Sequence, residues 1–325
     1  MSSMVIGVDV GNSDTKSDNT STFSGYKVYD VCPTMANEYL LYNGKYYTPT
    51  STRFNYIPDK TVNENMYILT LIAMAKEILY RKDKAFQKGQ ENASRKNISK
   101  EVITVHLGVG VPPAHHAKLS KKYAEYYKER FKDQIDFTYD NVDFHVQVKT
   151  VRVFTQDYSV VMVFGAKSKY ISQGFERFAA VDIGGTTVDS VVVNAKVAEK
   201  YKSVESGIIS MYNEIEAQIN TDYGVNLDHQ ACEAILMDKP TIIKDEIKTK
   251  VKEITEEWTG RIIGTLRADL DFEAYPTIFI GGGSRMLKPY LVKNKTLKNF
   301  EFLGNPNANA QAYSRLLKGL IAAKG

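Results

Sequence analysis

Two aspartates stand at the ends of apolar runs, each just before a glycine-rich turn. They are Asp9 in Val5-Ile6-Gly7-Val8-Asp9-Val10-Gly11 and Asp182 in Ala179-Ala180-Val181-Asp182-Ile183-Gly184-Gly185. A carboxylate at the end of a buried strand is unfavourable unless something offsets its charge. One cation faced by both acids is the simplest account. Magnesium suits it, because that ion keeps several waters and needs only one or two carboxylates plus phosphate oxygens. Taken singly, either acid could instead cap a turn or a helix; the matching contexts argue for a shared role. The turns that follow are Gly11-Asn12-Ser13-Asp14-Thr15-Lys16 and Gly184-Gly185-Thr186-Thr187. Glycine lets backbone N–H groups approach an anion, hydroxyls add donors, and Lys16 brings a positive charge toward phosphates. A third stretch, Phe279-Ile280-Gly281-Gly282-Gly283-Ser284, leads a strand through glycines toward a helix, where a phosphate or a flat base can approach the backbone. None of these is GxxxxGK[ST], and the spacing does not fit GxGxxG. Each turn alone could be a plain hairpin; three in this order point to a nucleotide.

An α/β framework must position them. Residues 5–10, 102–109, 178–184, 188–193 and 276–280 read as buried strands, with more strands around 142–154. Short tyrosine-rich segments at 25–31, 38–41 and 45–50 read as strands of a small insertion. Helical spacing marks 63–80, 117–131, 157–170, 207–219, 228–236, 241–268 and 309–323. Residues 81–100 carry seven Lys or Arg against two acids, which predicts a solvated loop, with a partner-binding loop as the alternative. Strands alternating with long helices predict largely parallel sheets.

The bulk numbers narrow the class. A chain of 325 residues suits two domains of about 150 residues each. Its 42 basic and 38 acidic residues leave a net charge of +4, too small an excess to argue for direct nucleic-acid binding. Cys32 and Cys232 are far apart and form no CxxC pair, which favours a reduced, cytoplasmic setting. No apolar run approaches the roughly 20 residues needed to span a bilayer, and the first one is already interrupted by Asp9. His115 and His116 are adjacent and so face different ways; they read as surface or core residues, not ligands.

These motifs resemble those of the actin, sugar-kinase and DnaK-type chaperone superfamily. Residues 9–16 look like its first phosphate loop, including a lysine seven residues after the aspartate. Asp182-Ile183-Gly184-Gly185-Thr186-Thr187-Val188-Asp189 resembles the second phosphate loop, and Ile280-Gly281-Gly282-Gly283-Ser284 the adenosine motif. Asn305-Pro306-Asn307-Ala308-Asn309-Ala310 is similar to the second connecting segment. Within the superfamily the best resemblance is to the bacterial actin-like group of ParM and the Alp proteins. It implies an actin-like fold, two related RNase H-like domains flanking a nucleotide cleft. Domain I would span 1–165 plus 310–325, with a small insertion at about 25–100, and domain II 166–309.

The resemblance further implies ATP or GTP bound with Mg2+, the metal facing Asp9 and Asp182 through water. In the first connecting segment, 153–157, Gln156 would orient the attacking water, with Asp157 as substitute if the register slips by one. Gly207 and Glu214 would lie near the ribose and base, on a poorer match. Slow hydrolysis would time a head-to-tail filament of this chain that segregates plasmid DNA through a separate DNA-bound adaptor. The alternative is a small-molecule kinase of the sugar or acetate type sharing the same core, although no clear phosphoacceptor site is visible.

Overall fold

The computed structural model describes residues 3–323 apart from 35, 37, 56, 58 and 91–94; those last four, part of the basic stretch, lie outside the described residues. The chain divides into two compact units, Met1–Val163 with Asn307–Gly325, and Phe164–Pro306. The first unit begins with strands β1 (Ser3–Val10), β2 (Asp14–Ser17), β3 (Ser21–Phe23), β4 (Tyr26–Tyr29), β5 (Leu40–Tyr42) and β6 (Lys45–Pro49). Helices α1 (Asn65–Gln87) and α2 (Arg95–Ile98), strand β7 (Val102–Val111) and helix α3 (His116–Arg130) follow. Strands β8 (Ile135–Tyr139) and β9 (Val142–Thr155) lead into α4 (Tyr158–Phe164). The second unit contains α5 (Lys169–Ser172), β10 (Arg177–Ile183), β11 (Val188–Asn194), β12 (Val197–Val204), α6 (Ile208–Tyr223), α7 (His229–Leu236) and α8 (Asp245–Leu266). It closes with β13 (Thr277–Ile280), α9 (Gly281–Met286), α10 (Lys288–Lys293) and β14 (Phe300–Phe302), and α11 (Ala308–Ala322) returns to the first unit.

The first sheet runs β3-β2-β1-β7-β9-β8-β5-β6-β4 and the second β12-β11-β10-β13-β14. Only β1–β7, β7–β9, β10–β13 and β13–β14 are parallel among the described strands, so the expectation of largely parallel sheets does not hold. Each parallel centre is extended by hairpins, which need only a tight turn where a parallel neighbour needs a crossover. The tyrosine-rich strands extend the first sheet: β5 pairs with β8 and carries it on to β4. Among the described residues no helix is long and apolar enough to cross a membrane.

Helix α11 crosses β1 and β7 where glycines let backbones touch. A Cβ at Gly7 would lie 1.8 Å from the Ala310 carbonyl oxygen, and one at Gly110 would lie 2.0 Å from the Tyr313 hydroxyl. Tyr313 is fully buried and stacks on Phe154 at 5.9 Å. Asn307 Nδ2 donates to the carbonyls of Ser17 at 2.8 Å and Thr20 at 2.9 Å, and Gln311 Nε2 donates to that of Asp18 at 2.8 Å. Asn307 of the second connecting segment and Gln311 thus tie α11 to the β2–β3 hairpin.

Helix α1 does not stop near Tyr80 but continues to Gln87, so 81–87 are helical instead of loop. Glu77 is fully buried, and Arg81, one turn on, donates to it from Nε at 2.6 Å. The same guanidinium donates to Asp18 and, at 2.9 Å, to the Val5 carbonyl. Lys82 pairs with Glu101. Arg81 extends the helix because the buried acids Glu77 and Asp18 require it there. Glu77 accepts in addition from Ser17 Oγ at 2.6 Å and from Asn19 N at 2.9 Å.

Burial raises the Asp18 carboxyl above the usual carboxylate range, against the lowering influence of the Ser314 hydroxyl and Arg81, and the nearby Glu77 adds to the rise. A carboxyl raised in the folded state favours folding while protonated, and that contribution is lost as pH rises through its folded value. Urea unfolding of wild type and Asp18→Asn between pH 4 and 7 should therefore show the difference moving in the variant's favour as pH rises. A difference independent of pH would contradict this.

In the second unit, Met211, Ile215 and Ile219 of α6 share one core with Val251, Ile254 and Trp258 of α8. Trp258 is therefore a packing residue. The single helix expected over 157–170 is instead two, because Ser168 is extended and caps α5 by accepting from Ile171 N.

Candidate functional site

In the first unit, Asp9 and Lys16 are directly opposite one another in the β1–β2 register, so their side chains share a face of the sheet. Asp9 is 8% exposed, and its Oδ1 accepts from Gln156 Nε2 at 2.7 Å. Gln156 follows β9 and is anchored by its own N–H, which donates to the Val111 carbonyl at 2.9 Å. Residues 147 positions apart are thus joined at the end of the sheet. Asp157, the substitute, is almost fully buried in a left-handed conformation, with its N–H on Asn309 Oδ1 at 2.9 Å; its place is structural.

Gly11, Asn12, Ser13 and Asp14 are half-buried around the turn, and Lys16 is half-buried beyond it. Thr15 differs. It faces the opposite side of the strand from Asp14 and Lys16, is fully buried, and shares a 2.9 Å hydrogen bond with Ser24 Oγ. Its hydroxyl is not presented to a ligand.

The second loop is built against α6. The carbonyls of Gly184, Gly185 and Thr186 accept from the N–H groups of Ile208 at 3.0 Å, Ile209 at 2.8 Å and Gly207 at 3.0 Å. In a trans peptide the N–H of the next residue points opposite to the carbonyl. The amides of Gly185, Thr186 and Thr187 are therefore turned away from the helix, as a row of donors on one side. Gly207 matters here as the closest approach: a Cβ on it would lie 2.5 Å from the Gly185 backbone. Glu214 is not brought to the loop. It lies about 10 Å along α6 from Gly207, and Arg261 of α8 holds its carboxylate at 2.6 Å.

Asp182 sits directly opposite Asp189 across the β10–β11 pair. Asp189 is 7% exposed and accepts from Thr187 Oγ1 at 2.8 Å. Like charges directly opposite on neighbouring strands repel, so this pair calls for positive charge nearby. Asp189 belongs to the loop motif but does not stand out in sequence, because only the hairpin register reveals which residue it faces.

Gly281, Gly282 and Gly283 form the first turn of α9, a helix of only six residues. Gly281 has φ +83°, and a Cβ on it would lie 1.9 Å from Asp182 Oδ1; one on Gly283 would lie 2.2 Å from the Ile183 carbonyl oxygen. These glycines let the backbone close onto the end of β10. Ser284 is buried, with its hydroxyl donating to the Ile280 carbonyl, so it supports the turn and is not presented to a ligand. Gly281→Ala should displace the Asp182 carboxylate and destabilise the protein by at least about 2 kcal/mol in chemical denaturation. A loss below about 0.5 kcal/mol would mean that the carboxylate moves freely.

The model of the C-terminal part of the archaeal actin homologue family, MreB-like, matches residues 180–293. No curated protein sequence matches significantly. Among solved structures, an archaeal actin homologue in complex with ADP is similar at TM-score 0.67 and 16% identity, over 97% of this chain and 99% of that one. A 15-stranded ParM filament from Clostridium botulinum is similar at TM-score 0.69 and 15% identity, over 98% and 100%. Bacillus thuringiensis ParM with ATP is similar at TM-score 0.61 and 15% identity, over 98% and 100%. With two α/β units, each carrying an aspartate and a glycine turn at a strand end, and full-length likeness to these proteins, the chain has the actin-like fold.

Proposed function

We propose that this chain binds a nucleoside triphosphate with Mg2+, hydrolyses it slowly and assembles head-to-tail into filaments. The observation that carries the reading is the repeated device at Asp9 and Asp182. Each acid ends a strand and precedes a turn whose carbonyls are held from behind, leaving amides turned toward the other side. Outward amides suit phosphate oxygens, and Lys16 adds a positive charge on the face of Asp9. Asp9 in one unit and Asp182, with Asp189 opposite it, in the other are each the kind of carboxylate that would suit a hard cation held largely through water. When bound, Mg2+ would supply neutralisation of charge developing on the phosphates. Gln156 is an amide and a poor base, so its part is to orient the attacking water by hydrogen bonds.

The ADP and ATP of two relatives support an adenine nucleotide, with GTP as the competing outcome. The Clostridium filament supports self-assembly. So do the sheet edges: β4 exposes Val28 and Tyr29, β12 exposes Val197 and Tyr201, and an unpaired edge is a surface on which another copy can add. A heterologous contact that does not close gives a filament. Plasmid DNA segregation would follow through a DNA-bound adaptor, since a net charge of +4 offers little for DNA itself.

The test is right-angle light scattering of the chain with Mg2+ and ATP or GTP, with phosphate release followed in parallel. Scattering that rises and then decays as phosphate appears supports a dynamic filament and names the nucleotide. Flat scattering over a wide concentration range sinks the filament reading, and transfer of phosphate to a small acceptor would favour the kinase instead.

A further inference from the structure

In the second loop, amides of α6 hold the carbonyls back. In the first loop, side chains do so. Lys60 Nζ donates to the Val10 carbonyl, and Ser24 Oγ to that of Gly11 at 2.7 Å. Arg53 Nε donates at 3.0 Å to the Ser13 carbonyl, which also accepts from Ser24 N at 3.1 Å. By peptide planarity the N–H of Gly11 turns into a 3.1 Å bond with the Asp9 carbonyl, and those of Asn12 and Asp14 face away from the clamping side chains.

All three donors come from 24–60, a stretch whose sequence offers no chemical motif. Each is itself held. The Arg53 guanidinium lies over the Phe23 ring at 5.3 Å. Lys60 opens a 3-10 turn capped by Asp59, whose carboxylate accepts from Thr61 N at 3.1 Å and pairs with Lys122. Lys60 also lines two small cavities, one shared with Gly11 and Asn12 and the other with Gln156 and Gly110. Its ammonium sits at the end of β1, and its side chain shares one cavity wall with Gln156.

We infer that Lys60, seconded by Ser24 and Arg53, is a positioning residue for the triphosphate, holding the first loop with its amides turned toward the phosphates. The inference rests on the nucleotide reading above. It assigns Lys60 no contact with the reacting atoms.

The experiment is titration of the full chain with a fluorescent N-methylanthraniloyl-ATP in Mg2+, alongside steady-state phosphate release. Lys60→Met should raise Kd about tenfold, because the nucleotide must then order a loop that the ammonium no longer holds. Lys60→Arg should stay within about threefold of wild type. KM should rise with kcat nearly unchanged, because amides oriented alike in ground and transition states give uniform binding. The melting midpoint without nucleotide should fall by only a few degrees, and the rise in KM at nearly unchanged kcat is the readout that a role in packing alone would not move. Should Lys60→Met fail to fold, Ser24→Ala carries the test, with an expected rise of about threefold. Wild type that binds while Lys60→Met binds within about twofold overturns the clamp alone. Wild type that does not bind overturns the nucleotide reading itself.

Discussion

Gln156→Ala should slow phosphate release about a hundredfold while leaving nucleotide binding within a few-fold of wild type. The amide is the group that the end of β9 delivers to Asp9, with Nε2 at 2.7 Å from Oδ1. Losing one preorganised donor or acceptor that acts on the transition state typically reduces rate by about two to three orders of magnitude. The change removes no backbone anchor, because the bond from Gln156 N to the Val111 carbonyl survives in alanine. Assembly should therefore persist, and light scattering after nucleotide addition should reach a plateau and hold it. Phosphate release within about threefold of wild type would remove Gln156 from the mechanism. Slow release with unchanged filament decay would separate disassembly from hydrolysis.

Arg81→Met should cost about 3 kcal/mol or more of folding stability, read as a lowered urea midpoint. The guanidinium serves three acceptors at once: the fully buried Glu77, Asp18 and the Val5 carbonyl. Removing it leaves two carboxylates in one site with hydroxyls and amides as donors and no cation. Lys82→Met, one residue on, is the control. Its partner Glu101 is 33% exposed, so the loss should stay near 1 kcal/mol or below. Acid should narrow the deficit of Arg81→Met, since protonation of Asp18, which burial favours, removes one of the two orphaned charges. Equal losses for the two variants would show that the Arg81 cluster has no special weight.

The contrast between these neighbours explains what a linear reading of this chain can and cannot find. The apolar runs at β1, β7, β10, β11 and β13 announce themselves, because strands buried on both faces carry little but aliphatic residues. Strands β2, β3, β12 and β14 do not, since hairpin partners and edges define them more than composition does. Read by apolar spacing, helix α1 ends where its charges begin, yet Arg81 belongs inside because Glu77 and Asp18 wait for it, a complementarity that with Asp18 joins residues 63 positions apart. The candidate site divides the same way. Asp9, Asp182 and their glycine turns are legible from motif and position. The inward hydroxyls of Thr15 and Ser284, and the part of Asp189 opposite Asp182, depend on which face each residue takes. Lys60 opens a short 3-10 turn with no motif around it, and its bond to the Val10 carbonyl is what distinguishes it.

The glycine seam under α11 has a consequence for synthesis. Phe164–Pro306 is continuous in sequence, whereas the first unit needs Asn307 onward to cover β1 and β7. During translation the second unit can condense as soon as it leaves the ribosome. The sheet of the first, although made earlier, must wait with Gly7, Gly108 and Gly110 bare until α11 emerges. For that interval its centre is an open apolar strip, a natural binding site for holding chaperones. A chain stalled before Asn307 should be retained by them, while one carrying α11 should be released.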